Sequence, residues 1–132
     1  MPTIELRTTR REELVDITHE VERRITEAGL DDGVCVLWST HTTSGLTVNE
    51  GADPAVARDI EEWLTSAAPR SGRYRHLEGN ADSHIKTTLV GPGLTLLVSG
   101  GRLQLGRWQR VFFCEFDGPR TRNVLLQLLA SA

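Results

Sequence analysis

The sequence predicts one α+β domain, spanning residues 1–132, with two helices and roughly seven strands. Two segments, about 10–28 and 53–68, repeat apolar residues at three- and four-residue steps, as amphipathic helices do. The last third of the chain instead carries short apolar or alternating runs separated by glycine-rich turns, which is typical of strands. A chain of 132 residues is also long enough to bury a core without disulfide or metal staples.

The N-terminal elements are predicted from their patterns in turn. Residues 3–8, TIELRT, alternate apolar and polar side chains and predict a first strand. Thr9 and Glu12 fit a capping box, which starts the first helix, and Gly29 is placed to end it in a left-handed conformation. Residues 33–40, GVCVLWST, are apolar on both faces and predict a central strand.

The middle of the chain predicts a short strand, a helix and a long loop. Residues 45–49 form the strand, and Asp53 followed by Pro54 is a strong start signal for a helix that stops before Pro69. Residues 68–83 show no sustained period. A loop of this length inside one domain is usually functional or disordered, and a binding site in it would explain its order.

The last third is predicted to be β throughout. Strands are expected at 84–89, 94–99, 102–105 and 110–116, and Gly100-Gly101 suits a tight hairpin turn between the second and third of them. Residues 124–129 are ambiguous between helix and strand, and we interpret them as a strand because the run is short and follows other strands.

Composition excludes several classes of protein. The formal charge of −3 argues against bulk binding to nucleic acid, and no apolar run is long enough for a membrane span. The N-terminus lacks the apolar stretch of a signal peptide, which favours a cytoplasmic location. Cys35 and Cys114 each lie in an apolar run, so we interpret them as buried free thiols. A disulfide between them and a nucleophilic role for Cys114 are the alternatives.

Three histidines are candidate metal ligands. His76 and His84 bracket the segment HLEGNADSH, and His41 directly follows the buried strand 33–40. Three neutral imidazoles suit zinc and leave a fourth position for water or substrate. The seven-residue gap between His76 and His84 matches no regular zinc motif, so ordinary polar loop histidines remain an open alternative.

Other polar residues are candidates for catalysis or substrate binding. Lys86 is the only lysine, and on a strand it would share a face with His84, where a cation suits a phosphate or carboxylate ligand. A solvent-facing lysine is the alternative. Glu115 lies between two phenylalanines and needs a partner, a ligand or an edge position. Glu50 and Asp82 are candidate carboxylates that would orient metal ligands. The candidates for binding an anionic substrate are Thr42, Thr43, Asn49, Asn80 and Arg120.

Three blocks of sequence together resemble the YjbQ-like family, whose members carry the name secondary thiamine-phosphate synthase. These blocks are HTTSGLTVNEGADP from His41, HLEGNADSHIK from His76 and GRWQRVFFCEFDGPR from Gly106, and the resemblance runs from about residue 3 to residue 129. It implies a β-sandwich-like α+β fold, a homotrimer, and a metal-associated pocket lined by His41, His76 and His84.

The activity implied by the resemblance is a weak thiamine-phosphate synthase reaction, in which a hydroxymethylpyrimidine diphosphate joins a thiazole phosphate and pyrophosphate leaves. Lys86 and Arg120 would stabilise the departing oxygens, with Glu50, Asp82 or Glu115 opposite the developing cation. Diphosphate chemistry favours magnesium, whereas three histidines favour zinc. The alternatives are a non-catalytic, metal-containing trimer that binds a metabolite and, less favoured, a metal-dependent hydrolase.

Overall fold

The computed structural model describes residues 1–132 and contains three helices and eight strands. The α+β class is confirmed, but the structure has one helix and one strand more than the predicted two helices and roughly seven strands. In chain order the elements are β1 (Thr3–Arg7), β2 (Glu13–Asp16), α1 (Thr18–Ala28), β3 (Gly33–Ser39), β4 (Ser44–Glu50), α2 (Pro54–Ala67), α3 (Ala81–Val90), β5 (Gly93–Ser99), β6 (Arg102–Leu103), β7 (Gln109–Glu115) and β8 (Thr121–Ala130).

The strands form two antiparallel sheets that enclose the main core. The larger sheet has the order β1-β8-β3-β5-β6, and the smaller sheet has the order β2-β7-β4. Apolar side chains from both sheets and from α1 meet between them, among them Cys35, Leu37, Leu46, Phe113, Val21 and Ile25. The fold is therefore a two-layer sandwich, and α1 contributes to its interior.

The other two helices, α2 and α3, cover the outer face of the smaller sheet. Because successive strand residues point to opposite faces, Phe113 of β7 enters the main core while Cys114 packs outward against Leu64 of α2. Gly45 of β4 lets α3 approach closely, since a Cβ there would lie 2.8 Å from Cγ1 of Val90. This contact fixes the position of α3 on the sheet.

The strand predicted at 84–89 is wrong, because these residues lie in α3. Asp82 and Lys86 form an ion pair one helical turn apart, with 2.9 Å between Oδ2 and Nζ. The hydroxyls of Thr87 and Thr88 each donate to the backbone carbonyl four residues earlier, as threonines in a helix do. His84, Lys86 and Thr88 therefore do not share one face as a strand would require.

The helix predicted from about residue 10 begins only at Thr18. Residues Glu13–Asp16 form β2, which pairs with β7, so this stretch completes the smaller sheet instead of adding a turn of helix. The predicted capping box is also wrong, because Thr9 bonds to Glu13 through both its backbone N–H and its hydroxyl. Pairing with a buried strand has overridden the helical pattern of the sequence.

The loop predicted at 68–83 ends at Asn80, because residues 81–83 form the first turn of α3, and the strand predicted at 102–105 is limited to Arg102–Leu103. Several other local predictions are confirmed. Gly29 ends α1 with φ of 68°, and Gly100 and Gly101 make the turn before β6 with φ of 58° and 73°. Asp53 accepts a hydrogen bond from the backbone N–H of Ala55 at the start of α2, and residues 124–129 lie within β8. None of the helices has the length and apolar character that crossing a membrane requires.

Candidate functional site

A polar cleft lies where the loop after β3 meets the N-terminal half of α3 and the start of β8. We call it the imidazole cleft. Its volume is about 380 Å³, and none of its ten lining residues is hydrophobic. The lining consists of Thr40, His41, Thr42, Thr43, Glu78, Asn80, His84, Asp117, Arg120 and Arg122. Thr40, His41, Thr42 and His84 also line an adjoining depression of about 480 Å³ that extends to Trp38 and Thr88.

His41 is held by hydrogen bonds to residues of two strands, β3 and β8. Its own N–H donates to the hydroxyl of Ser39 at 3.3 Å, and its Nε2 accepts the backbone N–H of Asn123 at 3.0 Å. A neutral imidazole that accepts through Nε2 carries its proton on Nδ1. Burial and the positive charges of Arg122 and Arg120 hold the pKa of His41 below its ordinary value, despite the opposing effect of Glu115. His41 is therefore a neutral ring that can donate through Nδ1.

His84 and His76 are neighbours at the mouth of the cleft. Their ring centroids lie 5.3 Å apart and the rings meet edge to face. Nε2 of His76 lies 2.9 Å from Oδ1 of Asn80, and Nδ2 of Asn80 donates to Asp117 at 2.9 Å. Arg120 donates to the same Asp117 carboxylate at 3.2 Å. This polar chain orients the loop around His76 and one wall of the cleft.

Arg122 forms the floor of the cleft and is only 2% exposed. Its Nε donates to Glu115 at 2.8 Å, and its Nη2 donates to Glu115 and to the carbonyl and hydroxyl oxygens of Thr43. Nη1 has no hydrogen-bond partner within the chain. Since three N–H groups are fixed by these bonds and the residue lines the cleft, Nη1 is the part of the guanidinium left to meet a ligand.

Glu115 is the anionic partner that holds Arg122 in place. It is fully buried and also accepts hydrogen bonds from the hydroxyl of Thr8 and the backbone N–H of Asp117, both at 2.9 Å. Burial raises the pKa of Glu115, but the hydrogen bonds from Arg122, Asp117 and Thr8 outweigh burial and hold the pKa below its ordinary value. Glu115 is thus an ionised carboxylate beneath the cleft.

Lys86 and Asp82, two of the predicted catalytic residues, lie in a separate buried cluster. Both are 0% exposed, and Nζ of Lys86 donates to Asp82 and to Glu12. Arg11 adds two hydrogen bonds of 3.0 Å to the Asp82 carboxylate. Burial raises the pKa of Asp82, yet the bonds from Arg11 and Lys86 keep it below its ordinary value. Neither residue lines the imidazole cleft.

The remaining predicted residues divide between the cleft and other places. Thr42, Thr43, Asn80 and Arg120 line it. Glu50 instead accepts the backbone N–H groups of Ala52 and Asp53 before α2, and Asn49 lies in a different cleft beside α2.

The expected three-histidine metal site is not assembled within the chain. No group of three or more His, Cys, Asp or Glu side chains is arranged to hold a metal ion. The rings of His76 and His84 are close enough to bind one metal ion. In His41, however, the lone pair of Nε2 already accepts the backbone N–H of Asn123. The three imidazoles of one chain therefore do not fit a zinc ion.

Arg122 is the functional candidate that sequence reasoning missed. A signal for it exists in β8, where Arg122, Val124 and Leu126 alternate onto the inward face of the strand. An arginine at an inward position must be paired or functional, because an unpaired buried charge is costly.

The two cysteines are free and buried, as expected. Burial raises the pKa of the Cys114 thiol to about 12, with a smaller contribution from Glu61, and raises that of Cys35 to about 11. At neutral pH both are protonated thiols inside the core, so neither is poised as a nucleophile.

Comparison with known proteins gives consistent matches over nearly the whole chain. The model of the family described as UPF0047 protein YjbQ-like matches residues 2–131. The chain is 45% identical to the UPF0047 protein MJ1081 of Methanocaldococcus jannaschii, over 95% of this chain and 91% of that protein. It is 42% identical to the UPF0047 protein YugU of Bacillus subtilis, over 98% of each.

Solved structures show the same fold. A conserved protein of the YjbQ/UPF0047 family from Clostridium acetobutylicum superposes with a TM-score of 0.95 at 41% identity, covering 98% of this chain and all (100%) of that one. The hypothetical protein TT1486 from Thermus thermophilus superposes with a TM-score of 0.92 at 48% identity, with the same coverage.

Proposed function

The chain belongs to the YjbQ-like UPF0047 family, and from that premise we propose that it is an enzyme that binds a phosphorylated small molecule in the imidazole cleft. The observation that carries this proposal is the free Nη1 of Arg122. A guanidinium that is almost fully buried, fixed on one side by Glu115 and Thr43 and free on the side of a polar cleft, is arranged to receive an oxyanion.

The other cleft residues complete a site for a phosphate group. His41 donates through Nδ1, the hydroxyls of Thr42 and Thr43 surround the floor, and Arg120 adds a more exposed positive charge at the wall. Asp117 and Glu78 bring negative charge to the same lining, so the cleft favours an anion at its floor and tolerates a cationic or neutral group at its mouth.

The specific reaction we propose, on the family resemblance, is thiamine-phosphate synthesis. The thiazole nitrogen forms a C–N bond to the methylene carbon of the pyrimidine, the C–O bond to the diphosphate breaks, and pyrophosphate leaves with the electron pair. Arg122 and Arg120 would stabilise the oxygens on which charge develops. Lys86 contributes nothing to this step, because its Nζ is bound to Glu12 and Asp82 outside the cleft.

This proposal is tested with purified protein, hydroxymethylpyrimidine diphosphate and thiazole phosphate, with pyrophosphate release as the readout. Binding of pyrophosphate alone is measured in parallel by calorimetry. We expect Arg120→Gln to weaken binding severalfold and Arg122→Lys to weaken it at least about tenfold. Arg107→Gln is the matched control, because Arg107 is an exposed arginine that stacks on Trp108 away from the cleft.

The outcomes separate the two classes of function. Release of pyrophosphate that is lost in Arg122→Lys, with the folded far-ultraviolet signal retained, supports the enzyme. Tight pyrophosphate binding without turnover supports the non-catalytic, metabolite-binding alternative. If pyrophosphate binds equally well to wild type and Arg122→Lys, the cleft assignment is wrong.

A metal ion is a separate proposal. Because His76 and His84 are the two rings that lie together, we propose that any zinc at this site is held by this pair with further ligands from outside the chain. Metal analysis of untagged protein should then show loss of zinc in His76→Ala and His84→Ala but not in His41→Ala. Equal metal content in all three variants would contradict this arrangement.

We also propose that the chain forms a homotrimer through the outer face of the larger sheet, which no helix covers. Trp38, Leu97 and Leu129 lie on neighbouring strands of this face and are 50%, 63% and 52% exposed. An apolar patch of this kind on a sheet face is typical of an interface between proteins. Leu97→Arg should shift the protein to monomer in sedimentation experiments, and an unchanged mass would refute this surface.

A further inference from the structure

A second cleft, unconnected with the proposed function, lies between α2 and α3 on the outer face of the smaller sheet. Its volume is about 500 Å³, and seven of its ten lining residues are hydrophobic. The apolar lining consists of Val56, Ile60, Trp63, Leu64, Leu89, Val90 and Cys114. Both the size and the apolar lining are typical of sites for small organic molecules.

Two large apolar side chains form the exposed walls of this cleft. Trp63 of α2 is 64% exposed and Leu89 of α3 is 56% exposed, although both helices bury other residues against the sheet. The indole of Trp63 offers a flat surface for an aromatic ring, and a ring bound between the two walls would remove both side chains from water.

The polar groups of the cleft specify the ligand further. Asp59 is the only charged lining residue, and its carboxylate forms no ion pair within the chain. The hydroxyl of Thr47 makes no hydrogen bond, and Nδ2 of Asn49 is free because only Oδ1 is engaged, by the N–H of Glu50. These groups supply one negative charge, one adaptable hydroxyl and one donor beside an apolar floor.

We propose that this cleft binds a small aromatic amine. The ring would pack between Trp63 and Leu89 over the sheet, and the protonated amine would pair with the carboxylate of Asp59 and the hydroxyl of Thr47. An aromatic acid of the same size would place its carboxylate beside Asp59 and be repelled. The sign of the ligand charge is therefore the distinguishing feature of the site.

The test compares 2-phenylethylamine with phenylacetate, which have the same ring and opposite charges. Calorimetry and quenching of tryptophan fluorescence should show the amine binding about fivefold more tightly than the acid, a ratio that Asp59→Asn removes. Trp63→Ala should weaken amine binding about tenfold. Trp108→Ala is the matched control, because Trp108 is 53% exposed and lies outside the cleft.

Any of three results overturns the proposal. The first is equal binding of amine and acid, and the second is amine binding that neither Asp59→Asn nor Trp63→Ala changes. The third is amine binding that weakens as protein concentration rises together with self-association, since a second copy of the chain would then be the occupant of the cleft. Both variants should fold, because Asp59 and Trp63 are exposed, and circular dichroism is the measurement that checks this.

Discussion

Replacing Glu115 by glutamine should lower the free energy of unfolding by about 3–5 kcal/mol, the cost of leaving one partner of a buried ion pair uncompensated. Every oxygen lone pair of this carboxylate faces a donor. Oε1 accepts from the backbone N–H of Asp117 and from Nη2 of Arg122, and Oε2 accepts from the hydroxyl of Thr8 and Nε of Arg122. In either orientation of the glutamine side chain, its NH2 group would face an N–H donor of Arg122, so one hydrogen bond would be replaced by a donor–donor contact.

The assay is thermal melting at fixed protein concentration. For a domain of this size each kcal/mol corresponds to roughly 4 °C, so the melting temperature should fall by roughly 12–20 °C. Glu62→Gln is the matched control, because Glu62 is exposed and makes no hydrogen bond or ion pair. The double variant Glu115→Leu with Arg122→Met should recover much of the loss, since no buried charge remains unpaired.

The pH dependence gives an independent check. The pKa of Glu115 is lower in the folded than in the unfolded protein. Its contribution to stability is therefore complete above the unfolded pKa and is lost as the pH falls through the folded one. Glu115→Gln should lack this part of the acid transition. A variant that melts within about 4 °C of wild type would show that the carboxylate does not hold Arg122 as described.

Three further predictions concern α3, the thiols and His41. Gly45→Ala should cost about 1–3 kcal/mol in urea unfolding, because its Cβ would meet Val90 at 2.8 Å, and an unchanged midpoint would show that α3 sits farther from β4. Cys35 and Cys114 should react with a thiol reagent only after unfolding, and fast labelling of the native protein would contradict their burial. Because the pKa of His41 is lowered in the folded protein, the unfolded chain takes up a proton at this histidine at a higher pH than the folded chain does. Stability should therefore fall as the pH drops through about 6.5. Thermal melting of His41→Gln over the same pH range should show a weaker dependence.

Local chemistry made part of the fold predictable. The alternation of β1, the glycine at the end of α1, the Asp-Pro start of α2 and the Gly-Gly turn before β6 depend on neighbouring residues alone. The errors arose where distant partners decide the structure. Residues 13–16 become a strand because β7 is beside them. Residues 84–89 belong to α3, whose Asp82 bonds to Arg11 and whose Lys86 bonds to Glu12.

The candidate site was predictable to a similar extent. His41, Thr42, Thr43 and Arg120 follow strand ends or turns, and such positions bring polar groups to one edge of a fold. Lys86 could not be placed, because whether a lone lysine faces solvent, a ligand or a buried carboxylate depends on residues far along the chain. Arg122 lies just outside the predicted strand 124–129, so its inward position and its pairing with Glu115 become evident only when β8 is seen to begin at Thr121.

Trp38 belongs to two surfaces at once. Its indole packs over Gly93 on the open face of the larger sheet, and it also borders the depression that leads to His41 and His84. In the proposed trimer, a second copy of the chain packed on that sheet would change the shape of the depression beside His41 and His84. Dissociation of the trimer on dilution should therefore also change ligand binding in this depression. Substituting this single indole thus tests quaternary association and ligand entry in one protein.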